Sequence, residues 1–184
     1  MIVFRKQVVG TSEQALARFV ARARRAVKLQ GAVTVLITSN AEMKKLNLHF
    51  RNQNKSTDVL SFAAADNPKR TVAGDVAISI EIARENAKKL GHSMADEIKI
   101  LILHGILHLA GYDHETDQGE MAVEEHRLRR ALRLPATLIE RNAAAPRRSR
   151  KKTLARNRRK LATFGRTSLS RDTTKQPTDS KRAS

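Results

Sequence analysis

The sequence predicts an α+β fold, a small mixed sheet with helices packed on it, in a single domain over residues 1–145. Three observations carry that reading. Short segments rich in β-branched residues alternate with longer segments whose apolar residues recur at helical spacing. One segment, 94–110, is apolar on nearly every side, as a helix at the centre of a small domain must be. From Pro146 onward the apolar pattern stops, so 146–184 reads as a basic, low-complexity, disordered tail.

Each element has its own signal. Thr11 and Ser12 precede a stretch in which Leu16, Phe19, Val20, Ala23 and Val27 recur at helical spacing, predicting an amphipathic helix that ends near Gly31. Its other face carries Arg18, Arg22, Arg24, Arg25 and Lys28. The run 32–38, AVTVLIT, reads as a strand. Ser39 and Asn40 are placed to cap a helix over 41–51. A short strand follows at 57–62, then a turn-rich connection, then a strand from Asp75 in which Val76, Ile78 and Ile80 alternate with smaller or polar residues. A helix over 81–90 stops at Gly91, and Ser93 or a neighbour caps the apolar helix that Gly111 ends. Beyond Asp117 the run 119–132 reads as a last helix.

Composition narrows the chemistry. The chain has 184 residues and no cysteine, so any metal must be held by His, Asp or Glu. The first ten residues carry an apolar run too short for a secretory signal, and charges interrupt every candidate membrane span. The expectation is a cytoplasmic protein with no membrane partner. Lys and Arg number 36 against 18 Asp and Glu, a net charge of +18. Residues 146–184 hold 14 of those cations and only 2 of the acids, so the tail carries most of the excess. An acidic polymer is the partner such a balance points to, with counterion release strengthening binding at low salt. The tail lacks the apolar face that a membrane-surface segment needs.

The residues with the most chemistry are His104, His108 and His114. Two histidines four apart lie on one helical face and reach one ion together. Gly111 then permits a sharp turn, because glycine accepts positive φ, and the turn returns His114 toward the same point. Three imidazoles leave one tetrahedral position open, the layout of a catalytic zinc whose water is acidified to a pKa of about 7. Nickel and other divalent ions fit the same ligands. A lone histidine on an apolar helix is usually satisfied by a neighbour. Three at this spacing around a glycine are not so easily explained. The spacing also fits the metzincin peptidase ligand pattern, with one departure: those enzymes place a glutamate directly after the first histidine as general base, and here that position is Gly105.

The segment from His104 to His114 resembles the YbeY family of metal-dependent endoribonucleases, the bacterial ribosomal RNA maturation factors. Two further blocks support the resemblance, in the family's order. Leu46-Asn47-x-x-Phe50-Arg51 followed by Thr57-Asp58-Val59-Leu60-Ser61-Phe62 is similar to one, and Gly74-Asp75-Val76-x-Ile78-Ser79 to the other. The similarity covers about residues 1–140. It implies a zincin-like domain with one Zn2+ per chain and a single-stranded RNA substrate. It also implies a role in maturing the 3′ end of 16S ribosomal RNA and in ribosome quality control, with small-subunit ribosomal proteins as contacts. The family's functional arginine falls at Arg51, whose guanidinium fork suits two phosphate oxygens. The implied catalytic set is thus Arg51, His104, His108 and His114. Ala63 stands where family members often have proline, and the basic tail is a second departure.

Other candidates are secondary. Asp58, Asp75 and Asp113 are placed either to orient a ligand histidine or to serve as turn and cap residues. His49, His92 and His126 read as surface residues, and Glu120, Glu124 and Glu125 as a solvated charged face. No general base is identified, and the nucleophile, water or the RNA 2′-hydroxyl, stays open. Two other function classes compete: a zinc metallopeptidase, which Gly105 and the basic charge oppose, and a non-catalytic ribosome-assembly factor in which the metal only stabilises the fold.

Overall fold

The computed structural model describes residues 1–64, 71–113 and 116–135. The predicted tail at 146–184 and the His114 position lie outside these residues. Nine elements follow one another: β1 (Ile2–Phe4), α1 (Glu13–Ala26), β2 (Ala32–Thr38), α2 (Asn40–Arg51), β3 (Val59–Ala63), β4 (Val72–Ser79), α3 (Ile80–Leu90), α4 (Met94–Leu109) and α5 (Glu120–Ala131).

Side-chain alternation in the strands builds two apolar layers, one on each face of a four-stranded sheet ordered β1-β2-β4-β3. β1, β2 and β4 run parallel, and β3 closes the far edge antiparallel to β4. Val33, Val35 and Ile37 of β2 and Val76 and Ile78 of β4 enter the larger core with Leu16, Phe19, Val20 and Ala23 of α1 and the apolar side chains of α4. Leu36, Ala77, Leu60 and Phe62 point the other way and pack with Met43 and Leu46 of α2. α4 is buried nearly all round because it lies between the sheet and the helices α1, α3 and α5.

Serine hydroxyls set four helix starts. Ser12, Ser39, Ser79 and Ser93 accept from the backbone N–H three residues on, at 3.2, 3.4, 3.2 and 3.0 Å. Each such cap contributes about 1 kcal/mol. The Ser39 and Ser79 caps are tied together. Asn40 accepts from the Ser79 hydroxyl, and the Asn40 N–H donates to Glu81 at 2.9 Å. The C-terminal ends of the parallel strands β2 and β4 are therefore held side by side.

Three differences from the sequence reading have plain causes. β1 was not expected, since three residues carry no periodicity. It is held by parallel pairing to β2, with the amino terminus donating to the Val33 carbonyl at 2.9 Å and Ile2 buried. α1 ends at Ala26 rather than near Gly31, because Lys28 takes a left-handed φ of 60° and turns the chain toward β2. β4 begins at Val72, earlier than its apolar alternation suggested, because its first residues pair with Ala32 and with Ala63 of the edge strand.

Candidate active site

His104 and His108 sit one turn apart near the end of α4, where the Ser93 cap and the surrounding core fix the helix register. Their Nε2 atoms lie 3.2 Å apart, and the rings meet edge to face at 75° with centroids 4.9 Å apart. Two imidazoles sharing a tetrahedral ion at Zn–N distances of about 2.0–2.1 Å would have nitrogens about 3.3–3.4 Å apart. The observed spacing fits such an ion.

The other nitrogen of His104 is fixed from α5. Nδ1 lies 3.0 Å from Oε2 of Glu125, whose Oε1 accepts from Arg129 Nε at 2.9 Å and also from its Nη2. Burial pushes the Glu125 carboxyl upward, but the His104 hydrogen bond and the charges of Arg129 and His104 outweigh it and hold the carboxyl below its ordinary value. An ionised carboxylate only accepts, so Nδ1 donates to it, and when the ring is neutral the lone pair is left on Nε2, on the side facing His108. Glu125 was expected on a solvated face. Its side chain is instead only 13% exposed, and Met121 and Leu128, on the same side of α5, are fully buried. That spacing of four before and three after was the signal in the sequence that Glu125 points inward.

Gly105 explains why no carboxylate follows the first histidine. A Cβ there would lie 2.7 Å from Val76 Cγ1 and 3.0 Å from Ser61 Oγ. The Ser61 hydroxyl also donates to the Gly105 carbonyl at 3.2 Å, holding α4 against β3. A side chain of any size at 105 would push the helix from the sheet. Past the helix, Gly111 takes a φ of 93° and turns the chain, as its type allows. His114 lies outside the described residues, and among the described residues no third His, Asp or Glu joins the pair in a metal-holding group.

Arg51 is the last residue of α2. The chain reverses just after it, with Asn52 in the left-handed region at φ 55°. Buried Asn47 holds the return loop by donating from Nδ2 to the Lys55 carbonyl at 2.8 Å, and its own carbonyl accepts from the Gln53 N–H at 3.2 Å. The exposed guanidinium shares a cleft with the histidines. Two adjoining cavities of ≈ 400 and ≈ 410 Å³ both have Arg51, Ser61 and His108 in their walls, and the second adds His104. The structure thus gathers three of the four expected site residues around the open edge of β3.

The remaining candidates separate. Asp58 lines the second cavity, but its Oδ1 accepts from the Thr57 hydroxyl at 3.1 Å and the Val59 N–H at 2.9 Å, a turn role. Asp75 is exposed on β4. Asp113 lines the first cavity and accepts from the Thr116 hydroxyl at 3.0 Å. Glu124 does lie on the outer face, paired with Arg127 at 2.6 Å. His49 is exposed, as expected. His92 is not a surface residue: its side chain is 6% exposed, and Nε2 meets Glu97 at 2.6 Å across the α3–α4 turn.

Comparison with known proteins agrees on one family. A family model described as Endoribonuclease YbeY matches residues 4–133. A protein named Endoribonuclease YbeY from Koribacter versatilis is 50% identical over 152 residues, covering 83% of this chain and 98% of the relative. One of the same name from Solibacter usitatus is 43% identical over 140 residues, covering 76% and 92%. The solution structure of a protein from Thermotoga maritima superposes with a TM-score of 0.50 at 30% identity, covering 72% of this chain and 89% of that one.

Proposed function

Because the chain belongs to the endoribonuclease YbeY family, we propose that it hydrolyses phosphodiester bonds of single-stranded RNA, with one zinc ion held by His104, His108 and His114. One observation carries the reading. Two imidazole nitrogens 3.2 Å apart, one of them oriented by a buried carboxylate, share a cleft with an exposed guanidinium. The paired histidines on a helix lying under an edge strand also support a zincin-like reading of the domain.

In hydrolysis a water oxygen forms a bond to phosphorus, the bond to one ester oxygen breaks, and that oxygen takes a proton. Zinc, when bound, supplies the Lewis acidity that makes water reactive near neutral pH. The chain's own groups do the rest. Glu125 keeps the His104 proton on Nδ1 and fixes the ring plane. Arg51 pairs with two phosphate oxygens and offsets the charge that grows on them in the transition state. Gly105 lets α4 approach β3 closely enough for His108 and Ser61 to share one wall. The proposed role is maturation of the 3′ end of 16S ribosomal RNA and ribosome quality control, in the cytoplasm and in contact with the small subunit. The net charge of +18 supports a polyanionic partner.

The test uses purified protein with its metal quantified, and a single-stranded RNA spanning the end of the small-subunit rRNA. Wild type is expected to hold one zinc per chain and cut. His108→Ala loses both metal and cutting, while Arg51→Ala keeps the metal and loses cutting. Wild type with zinc whose cutting neither variant alters would mean a contaminating nuclease, and the assembly-factor reading would replace this one.

A further inference from the structure

The chain has few aromatic residues, five Phe, one Tyr and no Trp, yet two of the five phenylalanines meet, each next in the chain to a residue that lines the cleft. Phe50 is 59% exposed, one of six large apolar side chains left in solvent among the described residues. Its ring lies 4.7 Å from that of Phe62 at 55°, and His49 meets it edge-on at 4.6 Å. Both phenylalanines sit next to residues of the cleft wall. Phe50 precedes Arg51 on the last turn of α2, and Phe62 stands on β3 between Ser61 and Ala63. Strand alternation sends Ser61 and Ala63 toward the histidines and Phe62 toward α2. The aromatic pair therefore lies on the α2 side of β3, each ring one residue along the chain from the cleft-lining Arg51 and Ser61. Lys55 on the return loop lines the second cavity with Arg51, and Lys44 and Lys45 are exposed on α2.

A phosphate grip alone cannot tell a single strand from a duplex, since both present the same anion. A ring with an open face can. Unpaired bases are free to stack on it, whereas paired bases are already stacked on one another. We infer that Phe50, backed by Phe62, is the stacking platform for an unpaired nucleobase next to the phosphate held at Arg51, and selects single-stranded over double-stranded RNA. The inference rests on the RNA reading above and adds to it a base-contacting residue.

The absence of tryptophan makes the test direct, because Phe50→Trp places a single indole at the platform. Its emission is titrated with a short single-stranded RNA, with the same strand carrying abasic sites, and with the duplex. Stacking predicts quenching by the single strand and little by the other two. In steady-state cleavage, Phe50→Ala raises KM for the single strand about five- to 150-fold with kcat little changed, in line with one lost base–aromatic stack. Phe50→Tyr, which keeps a π-face, recovers most of that loss. Circular dichroism confirms that the variants are folded. If Phe50→Ala keeps the wild-type KM, or the abasic strand quenches as well as the intact one, the platform is refuted while the nuclease reading stands. If wild type neither binds nor cuts RNA, the nuclease reading falls first and the platform with it.

Discussion

Glu125 of α5 accepts from Nδ1 of His104 on α4 at 3.0 Å, so two consecutive helices jointly fix one imidazole. This bond decides which nitrogen of His104 is free to face His108. Truncation by Glu125→Ala should weaken zinc binding about 10–100-fold, the usual cost of losing a group that orients a ligand histidine. Competition with a chelator of known affinity measures it. Unchanged affinity would show that the histidine needs no such support.

Arg51 offers a fork and lysine a point charge. Arg51→Lys should keep the net charge and the metal content but lower kcat/KM by roughly ten- to a hundred-fold, as expected when charge-assisted hydrogen bonds of about 1.5–3 kcal/mol are lost. Equal activity of the lysine variant would mean that only the charge matters at this position.

Gly105 is a packing constraint. Gly105→Ala brings a methyl within 2.7 Å of Val76 Cγ1, and should destabilise the fold by about 1–3 kcal/mol, seen as a lower urea midpoint. Gly105→Glu, which restores the peptidase pattern, should unfold the protein further and create no peptide hydrolysis. A stable, peptide-cleaving glutamate variant would contradict the packing described here.

Asp96 gives the α4 start a pH dependence. Burial works to raise its pKa, but hydrogen bonds from Ser93 and Lys99 and the charges of Lys99 and His92 outweigh it, leaving the carboxyl below its ordinary value. A depressed carboxyl stabilises the folded state above the unfolded pKa, near 3.9, and that stability is lost as pH falls through the lower folded value. Asp96→Asn should therefore unfold at lower urea than wild type at pH 7, with the gap closing as pH drops below about 4. A gap that persists or widens in acid would reverse the sign.

Residues 146–184 hold 14 Lys and Arg against 2 Asp and Glu. Deleting them should weaken RNA binding mostly at low salt and flatten the plot of log affinity against log salt. A deletion that leaves the slope unchanged would exclude the segment from phosphate contact.

Much was legible in the sequence where the signal is local. β2 was expected at 32–38 and is Ala32–Thr38, because a β-branched run bounded by Gly31 and Ser39 states its own limits. The helix starts could be read from serine because a cap is a contact over three residues. The pairing of His104 with His108 followed from helical periodicity alone. β1 was illegible because its stability comes from β2, more than thirty residues away. His92 and Glu125 differ from the sequence reading for another reason. Each is a polar residue in a polar stretch, buried because a side chain of α4 meets it: Glu97, five residues on, at 2.6 Å for the first, and His104 at 3.0 Å for the second.

By itself, then, the sequence determined the elements other than β1, the pairing of the two α4 histidines, the family blocks and the basic charge. These are properties of residue type and spacing within one segment. Tertiary structure alone decided that Arg51 and the histidines share a cleft at the edge of β3, that Glu125 meets His104, and that Phe50 meets Phe62. The physical reason is that such contacts join side chains far apart in the chain. Their geometry exists only once the two apolar layers have packed α4 and α2 onto opposite faces of one sheet.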